Sequence, residues 1–467
     1  HSLLAARMIT SLRERDMEIS VGSVFGSQNL VDLSINVSLV NTKEDAISLE
    51  NDRVNTTIPV DKILSVLREK NQTKFSVSTV SPLTPMQESL FYHHLRAKEH
   101  DPYVISTIMH FSKKDILDKY LNSIQLVINR HDSLRTAFLW EEVPHPLQVV
   151  LEYDDIKIID LSEKEFHSAK EAIEFLRKYP HQIDLNSGFP IEFIITQSIN
   201  EKSWFIRTNI HHLVIDQWSY DIIISECTDI ICGNISNLHK PYKYSEYVEN
   251  NRKKSSNIDS IELFKKMMRD FSEETSPFGL YGNVPNHSEF LEESLVINQS
   301  LLNNIKEKSR ELGLSIASFL HLAWAVVVGR TSNRDESTFG TVLFGRMKVS
   351  KETQQTVGLF VNTLPIRVKL DNMSVEDKLR DIQTMIFNLI ELENYSLEEL
   401  KKLCHINVYE NIFSSIFNYQ KRNTDLVCKS NNFMIENGVN IIDHIEKTNF
   451  PVTFTVDDYE SYLKLNC

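Results

Sequence analysis

The strongest constraint on the fold is an alternation of two hydrophobic patterns from about residue 78 to the end of the chain. Apolar residues at helical spacing predict amphipathic helices, and short runs of β-branched and aromatic residues predict strands. The predicted helices are residues 86–98, 114–130, 163–178, 218–232, 258–272, 301–329 and 375–393. The predicted strands are residues 104–111, 134–140, 146–152, 191–197, 203–211, 336–343, 364–370, 412–418 and 450–456. The alternation predicts an α/β fold in which helices cover β-sheets.

Changes in composition divide the chain into four predicted parts. Residues 1–42 are expected to be helical, and the polar, charged stretch 43–77 is interpreted as a linker. A second polar break, at residues 250–257, separates a predicted lobe at 78–250 from a lobe of similar size at 251–467. The first residue is His1 and not Met, so we expect the chain to be a piece of a longer polypeptide.

Charge and cysteine content narrow the classes of partner. The net charge is −14, and Lys and Arg form no dense run. Because nucleic acids and anionic membrane surfaces are bound by clustered positive charge, we expect neither as a partner. The five cysteines form no Cys-x-x-Cys pattern, so no metal site or disulfide framework is predicted, and a reduced, cytoplasmic compartment is expected. The longest apolar run, Leu314 to Val328, contains His321 and two serines and is interpreted as a buried helix.

The most chemically informative segment follows the predicted strand 203–211. His211 and His212 stand side by side there, and Asp216 comes four residues after His212. Two imidazoles at the end of a buried strand are costly to place without hydrogen-bond partners or a chemical role. Asp216 can hold the loop while one imidazole stays available for proton transfer. A purely structural histidine pair is the alternative interpretation of these residues.

Five segments, in chain order, carry a resemblance to a known family. They are Ser81–Glu88, Arg130–Phe138, His211–Asp216, Tyr244–Tyr247 and Val357–Arg367. Together they resemble the motifs of condensation domains of nonribosomal peptide synthetases, over roughly residue 60 to the end of the chain. Gln217 stands where the family usually has Gly. The family normally continues some tens of residues further, so we expect the domain to be truncated at its C-terminal edge.

The resemblance implies a fold, an activity and partners. The fold would be α/β, with two chloramphenicol-acetyltransferase-like lobes in a V-shaped pseudo-dimer, preceded by a partial carrier-protein helical bundle. The activity would be peptide-bond formation between a carrier-bound aminoacyl or peptidyl thioester donor and a carrier-bound aminoacyl acceptor. The partners would be upstream and downstream carrier domains, with adenylation domains in the same polypeptide. No metal or nucleotide is expected.

The same resemblance assigns roles to individual residues. His212 would orient the acceptor amine or accept its proton, and the backbone amides after it could stabilise an oxyanion. His211 and Asp216 would hold the loop. The resemblance further implies structural support from three residues, the first of them as an ion partner of Asp216: Arg346, Asn362 and Arg135.

A second histidine pair bears on the subtype. His93 and His94, followed by Asp101, resemble the additional histidine motif of dual condensation/epimerization domains, although His100 stands where that motif has Gly. The resemblance implies that the donor residue is epimerized, with His93 or His94 near the donor and His212 able to serve both steps. The alternative is a non-epimerizing condensation domain in which this pair lies on an ordinary helix surface.

The first residues resemble the end of a peptidyl carrier domain. His1-Ser2-Leu3 matches the attachment site of that family, so Ser2 would carry a covalent 4′-phosphopantetheine. The phosphate would then lie at a helix N-terminus, where unpaired N–H groups and the helix dipole favour an anion. Ser2 is also suited to be a plain helix N-cap.

Two other functions fit parts of the pattern. Gln217 and His100 motivate a catalytically silent domain of the same fold that binds carriers. A free-standing acyl-CoA-dependent acyltransferase also shares the His-His-x-x-x-Asp motif. The carrier-like residues at the start of the chain argue against the acyltransferase.

Overall fold

The computed structural model describes most of the chain after residue 75. The described residues are 17–18, 30–35, 37–39, 76–97, 101–141, 143, 145–152, 156–164, 166–185, 189–252, 258–282, 290–346, 353–407 and 410–467. Ser2, His100 and nearly all of the predicted linker lie outside them. Within the predicted carrier domain at residues 1–42, the structure describes only 17–18, 30–35 and 37–39, so the carrier domain stays a prediction.

Helices and strands alternate along the described chain. The helices are α1 Leu30–Ile35, α2 Pro85–Arg96, α3 Lys114–Arg130, α4 Ala169–Lys178, α5 Gln217–Ile231, α6 Tyr244–Arg252, α7 Ile258–Met267, α8 Gln299–Leu312, α9 Ile316–Thr331, α10 Val375–Glu391, α11 Leu397–Leu403 and α12 Thr424–Asn437. The strands are β1 Met17–Glu18, β2 Ser38–Leu39, β3 Ser76–Pro82, β4 Val104–Phe111, β5 Thr136–Leu139, β6 Leu147–Glu152, β7 Ile158–Asp160, β8 Ile191–Ser198, β9 Ser203–His211, β10 Ser294–Val296, β11 Glu336–Leu343, β12 Asn362–Lys369, β13 Ser415–Lys421, β14 Val439–Ile445, β15 Val452–Asp458 and β16 Leu463–Asn466.

Two sequence predictions need correction. The single helix predicted at 301–329 is wrong, because Gly313, with φ of 65°, ends α8 in the left-handed conformation that glycine tolerates best. Ser315 then starts α9 by accepting a hydrogen bond from the backbone N–H of Ser318. Within the region predicted to be helical at the start of the chain, β1 and β2 form an antiparallel pair, and α1 is a helix as predicted.

Two compact units make up the chain. Unit 1 comprises residues 1–249, 355–359 and 432–447, and unit 2 comprises residues 250–354, 360–431 and 448–467. Residues 355–359 and 432–447 fall in the second predicted lobe, whereas both segments belong to unit 1. Their recruitment brings β14 and the residues around Gly358 into the unit that holds both histidine pairs.

Besides the short β1–β2 pair, unit 1 contains two larger sheets among its described residues. One has the strand order β14-β4-β9-β8-β7 and the other has the order β3-β6-β5. In the larger sheet β4 and β9 pair antiparallel, and Val104 at the start of β4 lies opposite His211 at the end of β9. This register brings the residues just before β4 next to the loop that follows β9.

Unit 2 contains a mixed sheet with the order β10-β16-β15-β13-β11-β12 in the described part of the chain. Its buried core includes Trp324 from α9, Phe339 from β11 and Phe417 from β13. This arrangement of helices on sheets confirms the predicted α/β class.

Among the described residues, no single helix is long and apolar enough to cross a membrane. By length and composition alone, α8 and α9 would qualify as a pair, and they are bent by 112°.

Candidate active site

The loop after β9 fixes the orientation of the His212 ring. The backbone N–H of His212 donates to the carbonyl of Tyr103 over 2.8 Å. The ring Nδ1 lies 2.7 Å from the carbonyl oxygen of Ile215. A carbonyl only accepts hydrogen bonds, so Nδ1 must carry a proton, and Nε2 is the nitrogen that can exchange one.

The Nε2 atom of His212 contacts a carboxylate from far along the chain. It lies 3.0 Å from Oε1 of Glu446, which directly follows β14. Burial alone would lower the pKa of His212, but the hydrogen bond and charge of Glu446, together with the Ile215 carbonyl, raise it above its ordinary value. The side chains of His212 and Glu446 keep 14% and 34% of their exposure, so the pair is accessible to a ligand.

Asp216 begins helix α5. Its Oδ1 accepts hydrogen bonds from the backbone N–H and the hydroxyl of Ser219, over 2.8 and 2.7 Å. The Ser219 hydroxyl also lies 2.8 Å from the carbonyl oxygen and 3.0 Å from the amide nitrogen of Gly358. A Cβ atom at Gly358 would approach the ring of Tyr244 to 2.2 Å, so this position accepts only glycine without rearrangement. Asp216 and Ser219 thus connect the active-site loop to residues 355–359.

Asp101 joins the two histidine pairs. Its Oδ2 lies 2.6 Å from Nδ1 of His94 and 3.0 Å from Nε2 of His211, and its Oδ1 accepts from the backbone N–H of Tyr103. His94 stands in the last turn of α2, and its ring packs edge-on against His211 at 5.1 Å between centroids. Burial would raise the pKa of Asp101, but the hydrogen bonds from His211 and His94 hold it well below its usual range.

The protonation of His211 follows from its neighbours. Its Nδ1 accepts a hydrogen bond from the backbone N–H of Leu213 over 3.1 Å, so Nε2 carries the proton that is donated to Asp101. Burial, which outweighs the attraction of Asp101, lowers the pKa of His211 and keeps the ring neutral. The Leu213 amide, and the Val214 amide that donates to the His211 carbonyl, are therefore engaged inside the loop. Binding of an oxyanion by the amides after His212 stays a prediction.

The same trio is also the one group of described residues close enough to share a metal ion. The candidate ligand atoms of His94, Asp101 and His211 all lie within 4.8 Å of one another. Because Nε2 of His211 bears a hydrogen, it has no lone pair to offer a metal. The geometry fits a hydrogen-bond network around Asp101, and we assign no metal site to it.

His93 differs from its neighbour His94. Its ring lies 5.6 Å from the ring of Tyr103, between centroids, and burial followed by the charge of Arg96 lowers its pKa to about 4. His93 is thus neutral at pH 7. Helix α2 is held close to the loop after β9 by Gln87, whose Nε2 donates to the carbonyl of Leu213 over 2.9 Å.

The three residues predicted to give structural support lie in both units. In unit 1, Arg135 donates to the carbonyl of Leu151, and burial lowers its pKa. In unit 2, the Asn362 amide donates to the carbonyls of residues 393 and 395 over 2.7 and 2.8 Å. Arg346 is fully buried, and its guanidinium lies 3.7 Å from the ring centroid of Phe360. The pairing of Arg346 with Asp216 stays a prediction.

Two further motifs meet in unit 1. Asp132, from the Arg130–Phe138 motif, accepts hydrogen bonds from the backbone N–H groups of Tyr244 and Ser245 over 2.8 and 3.0 Å. The hydroxyl of Tyr244 donates to the carbonyl of Leu359 over 2.6 Å. The Asp132 side chain therefore joins the Arg130–Phe138 motif to the start of α6. Tyr244 joins α6 to residues 355–359, the segment that also contacts Ser219.

Sequence reasoning missed two residues of this site. Asp101 belongs to the motif of His93 and His94, but nothing in that pattern indicates a contact with His211, 110 residues away. Glu446 lies 234 residues from His212 and belongs to no motif that the sequence analysis singled out.

Comparisons with known proteins place this chain in a family. A family model described as a condensation domain matches residues 77–467. Malpinin synthetase of Mortierella alpina is 30% identical over 478 residues, which cover 100% of this chain and 6% of that protein. Malpibaldin synthetase of the same organism is 30% identical over 475 residues, which cover 98% of this chain and 8% of that protein. The solved condensation domain of monacolin K polyketide synthase MokA aligns with a TM-score of 0.63 at 16% identity, covering 84% of this chain and 92% of that one.

The chain belongs to the condensation-domain family, in its nonribosomal peptide synthetase branch. This result confirms the family that the five motifs predicted, and the structural likeness confirms the condensation-domain fold. The predicted carrier-protein bundle stays a prediction. The chain spans less than a tenth of the length of the two synthetases, 6% and 8%.

Proposed function

We propose that this domain forms a peptide bond between two carrier-bound thioesters, an aminoacyl or peptidyl donor and an aminoacyl acceptor. The observation that carries the proposal is the fixed tautomer of His212. Its Nδ1–H is committed to the Ile215 carbonyl, so Nε2 is the ring nitrogen left for proton transfer with the amine, on a side chain that keeps 14% of its exposure.

The reaction balances without a metal or nucleotide. The acceptor amine attacks the donor carbonyl carbon, a C–N bond forms and the C–S bond breaks. One amine proton ends on the departing thiol, and His212 is positioned to transfer it. Thioesters are already reactive, so holding two tethered substrates in one orientation supplies much of the acceleration.

Epimerization of the donor residue is the second part of the proposal. It is supported by the 2.6 Å contact between Nδ1 of His94 and Asp101. A carboxylate that holds Nδ1–H leaves the Nε2 lone pair as a base, as in catalytic triads. We assign removal of the donor α-proton to His94, with His93 as the neutral neighbour and His212 available for the return of the proton. If the donor residue is instead joined in its L-form, without epimerization, the domain is a simple condensation catalyst.

Partners and cofactor follow from the same proposal. The substrates would arrive on upstream and downstream carrier domains, charged by adenylation domains of the same polypeptide in the cytoplasm. Ser2 would carry 4′-phosphopantetheine on the carrier remnant. These assignments come from the sequence motifs and the family.

Reconstitution tests the first part. The domain is mixed with a donor carrier and an acceptor carrier, each loaded with an amino acid, and the product is analysed by mass spectrometry. We expect a dipeptide on the acceptor carrier. A catalytically silent domain would bind the carriers and yield none, and an acyl-CoA-dependent enzyme would accept acyl-CoA in place of the donor carrier.

Deuterium exchange tests the second part. A donor carrier loaded with an L-residue is incubated in deuterated water, and we expect deuterium at the α-carbon and the D-form in the dipeptide. His94→Ala should suppress exchange while a supplied D-donor is still condensed. Product that contains only the L-residue and no deuterium would contradict epimerization.

A further inference from the structure

We infer that Glu446 binds the ammonium group of the acceptor and is the exchangeable counter-ion of His212. This inference rests on the proposed function, because it concerns the acceptor amine of that reaction. It starts from the 3.0 Å contact between Nε2 of His212 and Oε1 of Glu446.

That contact requires a proton between the two atoms. The other ring nitrogen already donates to the Ile215 carbonyl, so an unprotonated Nε2 would bring two lone pairs together. In the resting domain the pair therefore holds one shared proton, and a protonated His212 cannot accept another from an amine. Some positive group must replace the imidazolium at Glu446 before His212 can act as a base.

The acceptor supplies such a group. An α-amine is largely an ammonium ion near neutral pH, and it has the charge and donors that a carboxylate prefers. When the ammonium takes the place of the imidazolium beside Glu446, the imidazolium proton can leave to solvent, and Nε2 becomes the base that accepts a proton from the ammonium group. Glu446 would thereby couple the arrival of the acceptor to the activation of His212.

The fold holds Glu446 in place for this role. Strand β14 pairs antiparallel with β4, and Ile445 lies opposite Ser106, so the residue after Ile445 is anchored beside the start of β4. On the same strand, Nδ1 of His444 lies 2.9 Å from the hydroxyl of Thr107. The anchoring fixes the carboxylate while its 34% exposure leaves room for an ammonium group.

Other charged and titratable groups surround the pair. From β9, His211 is neutral and donates to Asp101, and from the N-terminus of α5, Asp216 adds to the attraction that raises the pKa of His212. From the β14 segment come His444 and Lys447, and burial lowers the pKa of the lysine. Among these neighbours, Glu446 makes the direct contact with Nε2 of His212.

The first measurement is the pKa of His212, determined by an NMR pH titration of the full chain with isotope-labelled histidine rings. Because Glu446 raises this pKa, Glu446→Gln should lower it, with no need for turnover. Asp443→Asn is the matched control, since Asp443 lies on the same strand but pairs with Arg177. An unchanged His212 pKa in Glu446→Gln would overturn the inference.

The second measurement separates recognition of the ammonium from general damage. Two small acceptor mimics are titrated against each variant: the glycyl thioester of N-acetylcysteamine, which carries the ammonium, and the glycolyl thioester, which has a hydroxyl in its place. Glu446→Gln should weaken the glycyl probe about 10-fold or more and leave the glycolyl probe unchanged. Equal weakening of both probes would show that Glu446 only shapes the site. Neither measurement requires dipeptide formation. Absence of dipeptide with the wild-type domain would therefore count against the proposed function and not against this inference.

Discussion

At the scale of single residues, Asp101 connects two histidines that are far apart in the sequence, His94 and His211. One carboxylate oxygen accepts from His94 and from His211, and the other oxygen accepts from a backbone amide. His211 is thereby fixed as a neutral ring behind His212, and His94 is oriented with its Nε2 directed away from Asp101. The two histidine pairs form one network instead of two independent motifs.

Replacing Asp101 by Asn tests this network. The variant loses a charged acceptor shared by two buried imidazoles, so we expect the free energy of unfolding at pH 7 to fall by about 2 kcal/mol. The folded-state pKa lies below the ordinary value of 3.8, so this stabilisation is present above pH 3.8 and is lost as the pH falls further. The variant should therefore lose less stability on acidification than the wild type. Urea unfolding at several pH values measures both effects, and a variant as stable as wild type at pH 7 would contradict the account.

Part of the site was readable from the sequence at this scale. His211, His212 and Asp216 lie within six residues, so a local motif could indicate them. The partners Asp101 and Glu446 are brought in by the pairing of β4 with β9 and with β14. Such pairings depend on the whole sheet and leave no local signal in the chain.

At the scale of elements, the start of α5 determines how the catalytic loop is held. Asp216 caps the helix through the amide and hydroxyl of Ser219, and the hydroxyl also contacts Gly358. The cap therefore ties the helix to a segment that is 139 residues further along the chain.

Substitutions at Asp216 test the cap. Asp216→Ala should lower the free energy of unfolding by about 1–2 kcal/mol, because a buried helix N-terminus loses its side-chain acceptor. Asp216→Asn should lose less, since asparagine is also a good N-cap. Thermal unfolding of the two variants gives the comparison. An unchanged melting temperature for Asp216→Ala, together with lost activity, would indicate a direct catalytic role instead.

Long, strongly periodic elements were predicted best, and the failures have physical causes. The bounds of β9 and β11 agree with the predicted 203–211 and 336–343, because both strands are rich in residues suited to a buried sheet. Strand β14 was not predicted, since Asn440, Asp443 and His444 interrupt its apolar pattern. Its position at the edge of the sheet, next to β4 alone, accounts for those polar residues.

At the scale of the whole molecule, each unit is assembled from segments that are distant in sequence. Residues 355–359 and 432–447 return to unit 1. Gly358 contacts Ser219 in the first turn of α5, and Glu446 contacts His212 in the loop after β9. A composition break could indicate the boundary near residue 250. It could not indicate that residues 355–359 and 432–447 pack in unit 1.

The carrier assignment is tested on the natural protein. Peptide mapping of the polypeptide isolated from its source should find the Ser2 peptide modified by one phosphopantetheine group, because a carrier serine must hold the thiol arm. Ser2→Ala in the same polypeptide should remove the modification. A Ser2 peptide of unmodified mass, alongside modified serines of other carriers, would show that Ser2 is only a helix cap.

The most direct test of the central claim is the single-turnover rate of dipeptide formation by His212→Ala with both carriers loaded. If His212 transfers the proton of the acceptor amine, the rate should fall about 100-fold or more while the melting temperature is retained. His110→Ala, which removes a partly buried histidine from the neighbouring strand β4, is the matched control and should keep the wild-type rate. Dipeptide formation at a near wild-type rate by folded His212→Ala would contradict the account.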